Sequence, residues 1–279
     1  MKKTALSFIL VVLIATVFIT GCTQQPAQPT PQPTTVQPAD TIKVSDSVLG
    51  RILVDAQGKT LYYFANDIPS RANSSCYGQC AIIWPVFSSD ITVSPPLVSS
   101  DFASFTRADG LKQTAYRGWP LYYYQQDPKP GDLNGENVLK VWFVVKPDET
   151  VMIAYQGTVG SFLTDKTGKT LYTFSQDTPG TSACTGACLT KWPAFNASSI
   201  NAPSVLKPAN FSAVTRADGV LQTAYMNRPL YYFADDAKPG DVKGQGFNNV
   251  WYVANVTGFV PVPTTVPTTL RTLSYGGGY

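Results

Sequence analysis

The chain of 279 residues contains no histidine. Histidine is the commonest general base and the commonest protein ligand for zinc and copper, so its absence excludes Ser-His-Asp and Cys-His catalysis and any haem held by histidine. Charged residues are also scarce, at 14% of the chain, and the formal net charge is only +3. Binding of nucleic acid requires a basic surface, so the sequence predicts no nucleic-acid partner.

Only one long apolar run is present, at residues 5–19. Lys2 and Lys3 precede it and Cys22 follows it, a pattern typical of a lipoprotein signal peptide. We therefore expect residues 1–22 to be that signal peptide and Cys22 to carry the lipid that attaches the protein to the extracytoplasmic face of the cell membrane. An uncleaved membrane anchor is the alternative, since the run approaches the length of a membrane span.

Proline-rich and threonine-rich segments flank the rest of the chain. Such segments bury too little apolar surface to fold, so we expect residues 23–40 to be an extended tether and residues 257–279 to be a disordered tail. The intervening part is predicted to comprise repeat domain 1 at 41–146, a connector at 147–157 and repeat domain 2 at 158–256.

The two predicted domains are copies of one another. Residues 106–145 align without gaps with residues 215–254, and more than half of the aligned positions are identical. Upstream, GKTLYYFAND matches GKTLYTFSQD, and CYGQCAIIWP matches CTGACLTKWP. A tandem duplication of this kind predicts the same fold in both copies.

The composition indicates a β-protein, with fifteen tyrosines, fourteen phenylalanines and five tryptophans. Short runs of β-forming residues alternate with hairpin-turn signals, among them the Asp-Gly pairs at 109–110 and 218–219. We expect an all-β fold of two tandem homologous small antiparallel β domains, each a sandwich or partly closed barrel of about six short strands.

A Tyr-x-aromatic-x-x-Asp motif occurs four times, twice in each copy. Its members are Tyr62, Phe64 and Asp67; Tyr122, Tyr124 and Asp127; Tyr172, Phe174 and Asp177; and Tyr231, Phe233 and Asp236. Because side chains alternate along a strand, the tyrosine and the second aromatic residue share one face, which we expect to face the core. Each aspartate is expected to accept hydrogen bonds from the turn that follows or from a tyrosine hydroxyl, with cation coordination as the alternative.

The four remaining cysteines form two pairs, Cys76 with Cys80 and Cys184 with Cys188. In an exported chain, this pattern predicts one local disulfide in each domain. We expect each disulfide to hold the loop that delivers the following tryptophan to the core. A redox-active pair is the alternative.

Together these motifs resemble the secreted-repeat lipoproteins of unknown function, a family marked by the Tyr-x-(Phe/Trp/Tyr)-x-x-Asp motif. The resemblance covers almost all of residues 48–254. Members of the family usually have Gly-His-Pro before the second motif of a copy, whereas this chain has Gly118-Trp119-Pro120 and Asn227-Arg228-Pro229. A role for that histidine is therefore ruled out here.

The resemblance implies a location outside the cytoplasm but no particular activity. We expect a cell-envelope lipoprotein that acts as a non-catalytic binding or structural module, without a cofactor or a metal, on an unknown envelope or surface ligand. The alternative is an extracytoplasmic redox or electron-transfer accessory protein that uses the cysteine pairs or the surface aromatic residues.

Overall fold

The computed structural model describes residues 41–67, 69, 73–157 and 159–257. The predicted signal peptide, Cys22, the tether and all but the first residue of the predicted tail lie outside these ranges. Among the described residues, no helix has the length and apolar character needed to span a membrane.

The described part of the chain is all-β, as predicted. Its strands are β1 Ile42–Ser47, β2 Gly50–Asp55, β3 Tyr62–Phe64, β4 Phe102–Thr106, β5 Lys112–Tyr116, β6 Trp119–Pro120, β7 Trp142–Val144, β8 Val151–Gln156, β9 Gly160–Asp165, β10 Tyr172–Phe174, β11 Phe211–Thr215, β12 Leu221–Tyr225, β13 Arg228–Pro229 and β14 Trp251–Val253. The two α-helices are single turns, α1 Gln79–Ile83 and α2 Ala187–Lys191. Short 3-10 turns occupy Ser99–Asp101, Val138–Lys140, Pro208–Asn210 and Phe247–Asn249.

Each repeat contains three small antiparallel sheets. In the first repeat, β1 pairs with β2, β3 pairs with β7, and β4, β5 and β6 form a three-stranded sheet. In the second repeat, β8 pairs with β9, β10 pairs with β14, and β11, β12 and β13 form a three-stranded sheet. No sheet within the described residues closes into a barrel. The tandem antiparallel β architecture is therefore confirmed, with seven strands rather than about six in each repeat.

The extra strand is the first strand of each repeat, which the sequence analysis missed. Strand β1 contains only two apolar residues, Ile42 and Val44, so its own composition is a weak strand signal. It forms because it pairs along its whole length with β2. Its counterpart β8 lies inside the segment 147–157, which was expected to be a connector.

The turn after β2 shows how the duplicated sequence specifies a hairpin. One carboxylate oxygen of Asp55 accepts hydrogen bonds from the main-chain N–H groups of Gln57 and Lys59, at 2.9 and 2.8 Å. Gly58 adopts a φ of +85°, in the left-handed region where a side chain is disfavoured. Asp165 and Gly168 repeat this turn after β9.

Both faces of strand β3 are buried, so Tyr62 faces a core as expected and the intervening Tyr63 is buried as well. Tyr62 and the intervening Tyr63 are each 0% exposed. Tyr62 packs in an aromatic cluster of the first repeat, whereas Tyr63 packs in the larger core to which both repeats contribute. Strand β3 therefore lies between two packed layers.

The two repeats lie in one compact unit. At their junction, the main-chain N–H of Tyr155 in β8 donates to the carbonyl of Ala65, at 2.8 Å, and the N–H of Ile153 donates to the hydroxyl of Tyr63, at 3.3 Å. Tyr63 and Ala65 are thus two residues of the first repeat that contact the second repeat. At the position equivalent to Tyr63 the second repeat has Thr173.

Candidate functional site

The two motifs of the first repeat are joined crosswise. The hydroxyl of Tyr62 donates to Asp127 of the other motif, at 2.5 Å, and the hydroxyl of Tyr122 donates back to Asp67, also at 2.5 Å. The main chains of the two tyrosines also exchange N–H to carbonyl hydrogen bonds, at 2.9 and 3.0 Å. Each tyrosine therefore hydrogen-bonds to the aspartate of the other motif rather than to the aspartate of its own motif.

The second repeat contains the same crosswise pairs. The hydroxyl of Tyr172 donates to Asp236 at 2.6 Å, and that of Tyr231 donates to Asp177 at 2.9 Å. The main chains of the two tyrosines again exchange two hydrogen bonds, at 2.8 and 3.0 Å. The four motifs of the chain thus form two pairs, one pair in each repeat.

The second carboxylate oxygen of each motif aspartate binds the loop that follows it. Asp127 accepts the main-chain N–H of Asn134 at 3.0 Å, and Asp67 accepts that of Ser75 at 2.6 Å. In the second repeat, the corresponding donors are the N–H groups of Lys243 and Ala183. Both oxygens thus have protein donors, as expected for a turn-fixing aspartate. Within the described residues, no group of three or more potential metal-ligating side chains lies together.

A glycine completes the site around the first tyrosine of each repeat. The N–H of Gly135 donates to the hydroxyl of Tyr62, at 3.3 Å. A Cβ at position 135 would lie 2.7 Å from the Tyr62 ring and 2.9 Å from Trp84, closer than van der Waals contact allows. Gly244 has the same relation to Tyr172. The loop can approach the tyrosine only because these positions lack a side chain.

Burial controls the protonation of these groups. It raises the pKa of Asp177 and of Asp236 to about 6, against the opposing hydrogen bonds from N–H groups and tyrosine hydroxyls. It also raises the pKa of Asp67. Burial is also the largest cause that raises the pKa of the four motif tyrosines well above 10, so their hydroxyl groups remain protonated donors. These tyrosines are Tyr62, Tyr122, Tyr172 and Tyr231. Since the unfolded chain loses these carboxyl protons at lower pH, the folded state loses stability as the pH rises from 3.8 to about 6.

Four aromatic rings stack beside the crosswise pairs of the first repeat. Trp142 lies parallel to Trp84, with 3.8 Å between the ring centroids. Phe64 stacks on the other face of this pair against Trp142, at 4.1 Å, and Tyr124 stacks against Trp84, at 4.2 Å. We call these four rings the aromatic column. Its two ends come from the two motifs, so the column joins them a second time.

The second repeat has an equivalent aromatic column, Phe174, Trp251, Trp192 and Phe233. Its centroid separations are 4.2, 3.8 and 4.3 Å. In both repeats the edge of a motif tyrosine also meets a tryptophan of the column, as Tyr231 meets Trp251 at 5.1 Å. The motif aromatic residues are therefore core residues, as the sequence predicted.

Comparison with known families shows a match across the folded part of the chain. The model of a lipoprotein family described as a secreted repeat of unknown function matches four segments, residues 43–88, 103–146, 154–196 and 212–255. Together they cover more than half of the chain. The chain belongs to this family. No curated protein and no solved structure is significantly similar to it.

Each of the four family segments contains one motif, so the family unit is half of a structural repeat. The aspartate of each unit accepts a hydrogen bond from the tyrosine of the other unit in the same repeat, and the aromatic column also takes its two ends from the two units. A single secreted-repeat unit therefore lacks the partners that its own motif requires. Two units are the smallest set that satisfies the tyrosine and aspartate of every motif.

A buried arginine links other sequence blocks that recur in this member of the secreted-repeat family. Arg107 donates to the carbonyl of Cys76 at 2.7 Å and to the side-chain oxygen of Gln113 at 2.8 Å. Gln113 in turn donates to the carbonyl of Leu121, next to the second motif. Arg216 and Gln222 form the same network in the second repeat. Sequence reasoning missed this network, although the blocks TRADG and QTAY that supply it were visible.

The disulfides predicted from the sequence are present, Cys76 with Cys80 and Cys184 with Cys188. The N–H of Trp84 donates to the carbonyl of Cys80 at 2.8 Å, where helix α1 ends. Trp84 is buried in the aromatic column, so the disulfide loop leads directly into the core. The disulfide, the arginine network and the column thus form one continuous structure.

Proposed function

We propose that this secreted-repeat protein is a lipid-anchored, non-catalytic binding or structural module on the extracytoplasmic face of the cell envelope. The observation that carries the proposal is the crosswise use of the four motifs. Their tyrosine hydroxyls and carboxylates are buried and donate to or accept from one another and adjacent main chain. These recurrent polar groups stabilise the fold and are buried, so a partner would contact other residues, on the outer surface.

The single compact unit supports this role. Both repeats are joined through β8 and a shared core, so equivalent surfaces of the two repeats are held at a fixed separation. A fixed pair of equivalent surfaces favours a partner with repeated features, because the second contact forms without a further loss of translational freedom. A polymer of the cell surface has such features. Attachment through Cys22 would keep the module within reach of it.

The lipid anchor is tested by the location of the full-length protein in its own cells. We expect the wild-type protein to stay in the membrane fraction after a high-salt wash, because an acyl chain binds through apolar burial rather than charge. Cys22→Ser should release it to the soluble fraction or leave it as unprocessed precursor. Equal processing and equal membrane retention of the two proteins would contradict lipid attachment.

The non-catalytic role is tested with the purified wild-type protein. We expect thermal unfolding to shift with isolated envelope polymer or surface glycan, and not with haem, flavin or a quinone analogue. A ligand at a hundred times its Kd stabilises a fold by about 2.7 kcal/mol, which such a scan resolves. Stabilisation by a redox cofactor would overturn the proposal. If no soluble ligand acts, cross-linking in intact cells should capture one specific envelope component.

Electron transfer is a second candidate function, favoured by the continuous stacking of the two aromatic columns. A one-electron metal-complex oxidant would take an electron from the column. Tyr62, whose ring meets Trp84 of the column at 5.5 Å, would return an electron to the column as its phenolic proton passes to Asp127, 2.5 Å from the hydroxyl, which leaves a neutral tyrosyl radical. This function requires reversible oxidation. If the function is correct, oxidation should give a radical signal that Tyr62→Phe lacks. Irreversible consumption of the oxidant without such a signal would eliminate electron transfer.

A further inference from the structure

A buried carboxyl group at the repeat junction has no hydrogen-bond donor. The side chain of Glu149 is 2% exposed, and neither of its carboxyl oxygens has a hydrogen-bond partner among the described residues. An ionised carboxylate that leaves water without gaining donors or a paired cation is strongly destabilising. The neutral form of this group is therefore the one that suits the folded structure.

Glu149 lies in the short turn that connects the repeats. The carbonyl of Pro147, on one side, accepts hydrogen bonds from the first repeat, from the hydroxyl of Tyr116 at 3.4 Å and from Arg117 at 3.0 Å. The N–H of Thr150, on the other side, donates to the carbonyl of Asn201 in the second repeat, at 2.8 Å. The unpartnered carboxyl thus lies between the attachment points to the two repeats.

The cations near Glu149 are engaged elsewhere. Lys146 donates to the carbonyl of Ala202 in the second repeat, at 3.0 Å. Arg117 forms an ion pair with Asp101, at 3.0 Å. Glu136, which bonds to Ser204 across the junction, adds a second negative charge to the surroundings. The phenols of Tyr63 and Tyr116 also interact electrostatically with Glu149.

The electrostatic surroundings agree with this geometry. Burial raises the pKa of Glu149 well above its ordinary value of 4.5, and the nearby charge of Glu136 acts in the same direction. The charges of Lys146 and Arg117 oppose the shift without cancelling it, and so does the main-chain N–H of Lys146, which faces the carboxyl group without reaching hydrogen-bonding geometry. At a pH between 4.5 and the raised pKa, Glu149 loses its proton in the unfolded or opened turn but keeps it in the closed turn.

We propose that Glu149 makes the contact between the two repeats sensitive to pH, closed when the carboxyl group is neutral and increasingly open when it ionises. The sign follows from proton linkage. The closed junction binds the proton more tightly, so its stability is complete below pH 4.5 and falls as the pH rises toward the raised value. Acidification therefore tightens the junction, and alkaline conditions loosen it.

The test is hydrogen exchange of the amides of β8 in the folded wild-type protein and in Glu149→Gln, compared at each pH from 4 to 8. Glutamine has the size of the neutral acid and does not titrate. The exchange ratio of wild type to variant cancels the intrinsic pH dependence and the titration of the other carboxyls. We expect this ratio to be near one at pH 4 and to rise by up to about tenfold per pH unit above pH 4.5.

Asp148→Asn is the matched control, because Asp148 is the preceding residue and its side chain is partly exposed in an ion pair with Arg51. This variant removes the same charge, and the exchange ratio of wild type to Asp148→Asn should stay constant from pH 4 to 8. A constant ratio for Glu149→Gln as well would overturn the proposal. If that variant does not fold, the carboxyl carbon of Glu149 can be titrated by NMR in the wild-type protein, and an ordinary pKa near 4.5 would overturn it equally.

Discussion

Replacing Trp142 with alanine is expected to destabilise the folded protein by about 3–5 kcal/mol. The side chain is 2% exposed and lies in the middle of the aromatic column, stacked on Trp84 on one face and on Phe64 on the other. Its removal would leave a cavity and separate the two ends of the column, which come from different motifs. Neighbouring rings could not close the gap, because both are held by their own strands or loops.

Urea unfolding of Trp142→Ala and of Leu139→Ala measures this effect against a matched control. Leu139 lies three residues away and is 83% exposed, so its truncation should change the free energy of unfolding by less than about 0.5 kcal/mol. Similar losses in the two variants would show that the column does not organise the first repeat.

Replacing Arg107 with alanine is expected to cost about 2–5 kcal/mol, the second largest effect. The substitution removes the donors to the Cys76 carbonyl and to Gln113, both of which are buried. A buried group left without a partner costs about 1–3 kcal/mol, and the total lies below twice the upper value because the Cys76 carbonyl keeps a 3.4 Å hydrogen bond from Ser74. The loss should appear with the disulfide intact, because the arginine positions the disulfide loop from outside it.

Arg51→Ala is the control for the loss of a positive charge. Its side chain is 43% exposed and forms an ion pair with Asp148 at 3.4 Å. An exposed pair of this kind contributes at most about 1 kcal/mol. If the two arginine variants unfold at the same urea concentration, the buried network does not stabilise the repeat.

Features that depend on neighbouring residues could be predicted from the sequence. The hairpin turn at Asp55 to Gly58 is specified by a carboxylate that binds main-chain groups two and four residues ahead. The disulfide between Cys76 and Cys80 spans four residues. The duplication was visible because whole blocks of sequence return. The turn and the disulfide are local signals, and the duplication is found by comparing the chain with itself, so one sequence was enough to find all three.

Features that depend on distant partners could not be predicted. Tyr62 and Asp127 are separated by 65 residues, and nothing in either motif indicates that the tyrosine binds the other motif's aspartate rather than its own. Gly135 was an overlooked signal. A glycine recurs at the same place in the second repeat, and such a glycine often marks a close approach to another group. The sequence showed the position but not which side chain it approaches.

The middle position of the motif could not be placed for the same reason. Only the flanking aromatic residues were expected to face the core, and the middle residue, Tyr63 or Thr173, was given no role. Tyr63 contacts the following repeat through the N–H of Ile153, and Thr173 has no equivalent contact with Ile153 or its neighbours within the described residues. A difference between copies can thus mark a contact between them.

The most direct test of the crosswise pairing is a double-mutant cycle with Tyr62→Phe and Asp127→Ala, in which the free energy of unfolding is measured. The crosswise arrangement predicts a coupling energy of about 1–3 kcal/mol, because the hydroxyl and the carboxylate are buried and bind each other. The parallel cycle with Tyr62→Phe and Asp67→Ala tests the pair within one motif and should be additive to within about 0.5 kcal/mol. Coupling to Asp67 and none to Asp127 would contradict the pairing of motifs on which the account rests.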